Sequence, residues 1–233
     1  MVNAVGGGQV CLIDRANLTL GHRDSLGVAG ESGSGKSMLC PALIGTLGRY
    51  GAGVTGGSIR FQGNDLSAAS ERAWRKVRGR RIGYVPQSSM AGLNPVLTVG
   101  TQMLEAVTAD TRLRGVKARA QAIHYLDLVQ LPRAALDKRA HELSGGMRQR
   151  IMIAAALARK PELLVADEPT TAAPAPNPDW LPSLAGRAPA CTSDGGSILR
   201  SSTGGGATDL RDVREGTICL HCGRRGIVDH RRE

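Results

Sequence analysis

Eight consecutive residues, Gly30-Glu31-Ser32-Gly33-Ser34-Gly35-Lys36-Ser37, carry the plainest chemistry in the chain. They fit the spacing G-x-x-x-x-G-K-S, in which glycines let backbone N–H groups approach a polyphosphate more closely than a Cβ would allow. Lys36 is then a point charge for the terminal phosphates, and the Ser37 hydroxyl a ligand for a divalent cation. The competing reading is a Gly/Ser-rich surface turn, which makes the apolar run before the loop and the Lys-Ser ending both accidents. Two acids, Asp167 and Glu168, close the apolar run Leu163-Leu164-Val165-Ala166. The first suits a metal ligand and the second a general base that polarises a water. Acid pairs also end solvated strands, and the buried strand beside a phosphate loop is what weighs against that here. Gln87, after Tyr84-Val85-Pro86, has an amide that can reach both cation and water. The stretch Leu143-Ser144-Gly145-Gly146-Met147-Arg148-Gln149-Arg150 is a second glycine turn opening a helix, hence a second anion site. A phosphate loop with its own helix dipole needs no second one, so this site is expected to face a phosphate held by a different chain.

These groups need a scaffold of alternating strands and helices. Ser25-Leu26-Gly27-Val28-Ala29 reads as a buried strand before the loop, and a helix is expected from Ser37 onward. Pro41 falls about a turn into that helix and predicts an irregular start or a kink. Strands are also expected over 10–13, 18–20, 58–62, 81–85 and 163–166, with a glycine-rich turn over 51–57. Apolar spacing predicts helices from Val96, over 116–129 (Ile123, Leu126 and Val129 on one side) and over 147–158. The fold class is therefore α/β: a P-loop-type parallel sheet, an edge β layer near the N-terminus, and an inserted helical subdomain over about 93–158.

With 233 residues the chain can bury a sizeable core. Its formal charge of +10 suggests an acidic partner, but dense positive charge occurs only at Arg72, Arg75, Lys76, Arg78, Arg80 and Arg81. A solvated helix face is the favoured reading of that run, against contact with nucleic acid or anionic lipid. Aromatic residues are 3% of the chain, too few for stacking platforms, which disfavours nucleic acid further. The longest apolar run, 151–158, is far short of the roughly 20 residues that cross a bilayer. The N-terminus lacks the pattern of a secretory signal, so the cytosol is the expected compartment. Cys11 and Cys40 are expected reduced and buried, and Cys219-Leu220-His221-Cys222 is a weak half of a zinc-site pattern.

Character changes after Thr171. Residues 172–233 contain eight arginines and no lysine, with Pro174, Pro176, Pro178, Pro182 and Pro189 followed by glycine clusters. Ordering a residue costs about 1–2 kcal/mol of backbone entropy, and the short apolar runs at 197–199 and 226–228 cannot offset that over such a length. Much of this second segment is expected to be disordered, which leaves 1–171 as the folded domain.

Taken in order, the motifs resemble those of the ATP-binding subunit of an ABC transporter: Walker A over 30–37, the Q-loop at Gln87, the signature over 143–149 and Walker B over 163–168. Gly92-Leu93-Asn94-Pro95-Val96-Leu97-Thr98-Val99-Gly100, His141-Glu142 before the signature, and Ala166-Asp167-Glu168-Pro169-Thr170-Thr171 resemble more narrowly the dipeptide, oligopeptide and nickel importer group. The resemblance implies ATP and Mg²⁺ as ligands. ATP would be held by residues 30–37 within the chain and by Ser144, Gly145, Gly146 and Gln149 across a dimer. Ser37, Gln87 and Asp167 would lie at the metal, and Glu168 and Gln87 at the water. It implies as partners a second ATP-binding subunit, identical or paralogous, a pair of membrane permease subunits and, indirectly, an extracytoplasmic solute-binding protein. The location implied is the cytoplasmic face of the cell membrane, as a peripheral subunit.

Three departures qualify that likeness. Where the family has Ala-Leu-Asp after the paired threonines, this chain runs Ala172-Ala173-Pro174, so the D-loop is missing. No histidine stands between Glu168 and His221, where the family places a switch histidine, and the first aromatic residue, Tyr50, comes after Walker A rather than before it. ATP binding with impaired turnover is therefore the expectation, with the tail a frame-shifted or a genuine regulatory segment. Two alternatives remain open from sequence: a soluble ABC-type ATPase acting on nucleic acid or ribosomes, and a non-catalytic remnant that would not unfold cooperatively.

Overall fold

The computed structural model describes residues 2–4, 11–14, 16–21, 25–28, 35–88, 92–167 and 218–222. In chain order these form β1 (Val2–Ala4), β2 (Cys11–Ile13), β3 (Ser25–Val28), α1 (Lys36–Leu43), a 3₁₀ turn (Leu47–Tyr50), β4 (Ala52–Val54), β5 (Arg60–Phe61), β6 (Asn64–Asp65) and α2 (Glu71–Val77). Then come β7 (Ile82–Val85), α3 (Val99–Thr108), α4 (Gly115–Leu128), two 3₁₀ turns, α5 (Gly145–Ala158), β8 (Leu163–Asp167) and β9 (Ile218–Cys222).

β8 lies between two cores, which explains its unbroken apolar run: a strand covered on both faces has no reason to alternate with polar residues. Leu163 and Val165 join Leu26, Val28, Cys40, Leu43, Trp74 and Ile82 on one side of the sheet. Leu164 and Ala166 join Val85 and the helical lobe on the other. The lobe is α3, α4 and α5 packed through Met103, Val107, Leu126 and Ile151, none more than 1% exposed. Two of its helices begin on their own caps: the Thr98 hydroxyl accepts from the Thr101 N–H and the Ser144 hydroxyl from the Met147 N–H, each at 3.3 Å. Arginine side chains, meanwhile, tie the elements around the sheet together. Arg78 donates to the Ile44 and Gly45 carbonyls at 2.8 and 2.6 Å and to Glu71, while Arg81 holds Glu162 through two bonds of 3.0 and 3.1 Å and lies over the Phe61 ring. Arg78 and Arg81 of the basic run at 72–81 therefore brace the chain, while Arg72, Arg75, Lys76 and Arg80 are exposed, as a solvated helix face predicts.

Four strands form the main sheet in the order β3-β9-β8-β7. β7 and β8 are parallel, and β9 is antiparallel to both β3 and β8, so β3, β8 and β7 share one direction as expected. The sheet is nevertheless mixed, because β9 runs against it. β9 also modifies the expectation for the tail: residues 218–222 are a strand, paired on both edges, which offsets the entropy of ordering them. The remainder of 172–233, to which the expectation of disorder also applied, lies outside the described residues. The extended backbone of β9 is not the turn that a C-x-x-C metal knuckle requires.

The edge layer is an antiparallel sheet ordered β2-β1-β4. Its β4 falls inside the stretch expected to be only a turn, because pairing with β1 over Val2↔Val54 and Ala4↔Ala52 overrides the local glycines. Leu18-Thr19-Leu20, expected as a strand, keeps the alternation, with Leu18 and Leu20 buried and Thr19 exposed, but only Leu20 makes a bridge. The strand expected over 58–62 shrinks to Arg60–Phe61 in a hairpin with β6. Cys40 is buried as expected; Cys11 is exposed. Among the described residues no helix is long and apolar enough to cross a membrane.

Candidate functional site

The carboxyl edge of the sheet gathers the residues the sequence singles out. Ile218 pairs with Val28 on one side and Asp167 on the other, so the strand leading to the phosphate loop and the Walker B strand end level with each other. Two strand spacings separate them, about 10 Å. Parallel register of Val85 with Ala166 brings Gln87, two residues past the end of β7, to the same edge. Lys36 and Ser37, the first two residues of α1, Gln87 and Asp167 are thus assembled by one topological feature: the ends of parallel strands. Gly30, Glu31, Ser32, Gly33, Ser34 and Glu168 lie outside the described residues.

Gly35 shows why the loop ends in glycine. It precedes α1 at φ 84°, and a Cβ built there would lie 2.4 Å from the Leu12 carbonyl oxygen. The edge layer therefore presses directly on the loop's end, a contact with no local signal in the sequence. The N-cap of α1 is Gly35, which has no side chain to give, and no acid lies in the helix's first turn, so the positive end of the helix suits an anion. Pro41 is inside the helix, which stops two residues later at Leu43 rather than kinking and continuing; proline has no N–H to offer the Ser37 carbonyl.

Tyr84 is a site neighbour that sequence reasoning used only as part of a strand. Burial first, and then the charges of Cys40 and Asp167, push its phenol well above the ordinary range, so it stays a neutral group beside the carboxylate. Its place inside the apolar run 81–85 was the one available signal. Asp167 itself is half-buried and Ser37 exposed. A hydroxyl, an amide carbonyl and a carboxylate form a hard-oxygen donor set, which fits Mg²⁺.

The second glycine turn is built on the lobe. Ser144 is exposed and caps α5, and Gly145 and Gly146 are half-exposed in its first turn. Arg148 holds the approach to the turn by donating to the Ala140 and Leu143 carbonyls at 3.2 and 2.7 Å. Gln149, expected in direct contact with ATP, is 2% exposed inside the lobe; five residues on from Ser144, the helix has turned it by about 140° from that residue. The segment 92–98 is also fixed from the lobe. A Cβ at Gly92 would lie 1.9 Å from the Met152 sulfur, and the Gln102 side chain accepts from the Asn94 N–H at 2.8 Å and donates to the Asn94 carbonyl at 3.1 Å.

Comparison with known proteins agrees with this arrangement. Residues 13–171 match the family described as ABC transporter. A putative peptide import ATP-binding protein of Brucella abortus is 44% identical over 168 residues, covering 71% of this chain and 50% of that protein. The oligopeptide transport ATP-binding proteins OppD of Bacillus subtilis and Salmonella typhimurium are 40% and 41% identical, again over 71% of this chain and over 47% and 49% of theirs. The chain thus spans about half the length of the curated relatives it matches. Among solved structures, a dimeric ATP-binding cassette in a post-hydrolysis state bound to ADP and Pi superposes with a TM-score of 0.64 at 24% identity, over 78% of this chain and 79% of that one. That likeness shows the P-loop cassette fold. With the family match covering most of its length, the chain belongs to the ABC transporter family.

Proposed function

We propose that this chain is the ATP-binding subunit of an importer for peptides or similar small solutes, and that it binds ATP better than it turns ATP over. The observation that supports the reading best is the convergence of a helix start carrying Lys36 and Ser37 with Asp167 at one sheet edge. Lys36 and the loop's N–H groups bind the phosphates. Ser37, Gln87 and Asp167 would hold Mg²⁺, which would supply charge neutralisation to the bound phosphates. Glu168 accepts the proton of the attacking water while the Gln87 amide orients it.

A second copy or a paralogous subunit would present Ser144, Gly145 and Gly146 to the same ATP; Gln149, buried under that turn, acts as a positioning residue. The names of the relatives, peptide import and oligopeptide transport ATP-binding proteins, support a transport role, for which the partners would be permease subunits at the cytoplasmic face of the membrane and, beyond them, a solute-binding protein. Slow turnover follows from the altered text after Thr171 and from the lack of a histidine between Glu168 and His221. The test is ATP binding and hydrolysis by the purified chain beside a Glu168→Gln variant, with Mg²⁺ present. Micromolar-range binding with turnover scarcely above that of the variant is expected. Hydrolysis that the substitution abolishes would instead establish a competent ATPase, and no binding at all would refute the reading.

A further inference from the structure

β3 precedes the phosphate loop in the chain, and among the described residues its neighbour in the main sheet is β9 alone, through the pairs Ser25↔His221, Leu26↔Leu220, Gly27↔Cys219 and Val28↔Ile218. β9 in turn pairs with all five residues of β8, from Leu163↔Cys222 to Asp167↔Ile218. The tail strand is therefore the sole sheet connection, among the described residues, between the half of the site that carries Lys36 and Ser37 and the half that carries Asp167 and Gln87. Without it β3 and β8 are a strand's width too far apart to bond, and buried backbone groups beside Leu26 and Val28, 3% and 7% exposed, lose their partners.

We propose that docking of Ile218–Cys222 is a conformational switch coupled to the nucleotide: the docked tail sets the spacing of the two half-sites, and ATP, by touching both, holds the tail in place. The coupling rests on the ATP site proposed above. Its physical basis is linkage. A ligand whose contacts lie on β3–α1 and on β8 meets both sets at once only when β9 is inserted, so it binds the docked form more tightly and shifts the population toward it. The strand's antiparallel sense favours such a device. Inserted against the direction of its neighbours, β9 starts at the nucleotide edge, where Ile218 sits level with Val28 and Asp167. Closure of the long connection from β8 to β9 costs entropy that grows only slowly with its length.

Amide hydrogen exchange on the full chain, read by peptide and with and without MgATP, tests this together with Leu220→Pro, Leu220→Val and Lys36→Ala. Leu220 lies between Leu26 and Val165, so proline there breaks a central strand, whereas valine keeps it. In the unchanged chain, residues 218–222 should exchange at least tenfold more slowly than in Leu220→Pro, and MgATP should slow them at least threefold further, an effect absent in Lys36→Ala. Leu220→Pro should weaken ATP binding at least tenfold while α3 and α5 keep their protection, and Leu220→Val should stay within twofold of the parent.

Exchange of 218–222 at unstructured-peptide rates in the parent chain would overturn the proposal. So would ATP affinity unchanged by Leu220→Pro. ATP that binds the parent chain without slowing 218–222 would sink the coupling alone, whereas a parent chain that fails to bind ATP would sink the site reading as well. The parent-chain comparison with and without MgATP decides the coupling even if the proline variant unfolds throughout.

Discussion

α1 and α5 both begin at glycine turns, yet their first turns are satisfied by different means. Gly35 starts α1 from the left-handed region, with no side-chain acceptor, over a helix of 8 residues interrupted by Pro41. Ser144 starts α5 at φ −66°, takes the Met147 N–H on its own hydroxyl, and leads a helix of 14 residues whose approach Arg148 ties down. At α5 the N-cap side chain itself takes a first-turn N–H, whereas the glycine at the N-cap of α1 can offer none. The contrast follows the two cores. α1 rests on the sheet, whose ends must converge to form its site, whereas α5 is anchored in a lobe with its own apolar cluster.

The sharpest test of that contrast removes the charge at the start of α1. Lys36→Ala should weaken ATP binding about 100-fold, since hydrogen bonds to charged groups contribute about 1.5–3 kcal/mol each; titration calorimetry checks it, and a loss under fivefold would place the phosphates elsewhere. Next in size, Gly35→Ala should cost about 2–3 kcal/mol of stability, because a non-glycine residue is strained at φ 84° and its Cβ meets the Leu12 carbonyl. Urea denaturation reads this, and an unchanged midpoint would mean the edge layer does not bear on the loop.

At the start of α5 the effect should be smaller and of another kind. Ser144→Ala removes a cap worth about 1 kcal/mol, lowering the stability of the lobe while leaving the single chain's ATP affinity unchanged; a parallel loss of affinity would erase the distinction between the two turns. Smallest is a difference in alkali. Tyr84 beside α1 and Tyr125 in the lobe both have pKa values raised by burial, Tyr84 by the nearby charges as well. Each holds its proton in the folded state where the unfolded chain has lost it, so the tyrosines' contribution to stability should be constant below about pH 10 and lost above it. Tyr84→Phe should remove part of that loss in thermal-melt profiles, and an unaltered slope would mean its environment is more solvated than its burial indicates.

Local pattern made much of this legible. Period and punctuation place β3, β7, β8 and the three lobe helices within a few residues, because each has an apolar face that its own spacing reveals. The loop ending at Ser37, the acid at Asp167 and the turn at Ser144 are legible for the same reason: their chemistry depends on residues adjacent in the chain. β4 and β9 were hidden, since each is stabilised by partner strands far off in sequence; β4 lies among glycines, and the Cys219–Cys222 spacing in β9 reads as a metal pattern rather than as a strand. Gln149 was misplaced because a motif names neighbours in sequence, whereas a helix turns a residue five positions on into the core. The basic run at 72–81 is a solvated face at Arg72, Arg75, Lys76 and Arg80, as its composition suggests, but the bracing by Arg78 and Arg81 had no local signal because the Ile44 and Gly45 carbonyls and Glu162 come from other segments.

Sequence by itself determined the family, the loop that can cradle phosphates, the carboxylate that can face a cation, and the order of strands and helices along the chain, because these depend on short-range spacing and residue chemistry. Only the tertiary structure decided that β3 and β8 are joined through a strand of the tail, that the edge layer closes on Gly35, and that the start of α1 and the acid meet at one edge. Those are outcomes of long-range pairing, where backbone groups choose partners by what burial leaves unsatisfied rather than by what stands next to them in the chain.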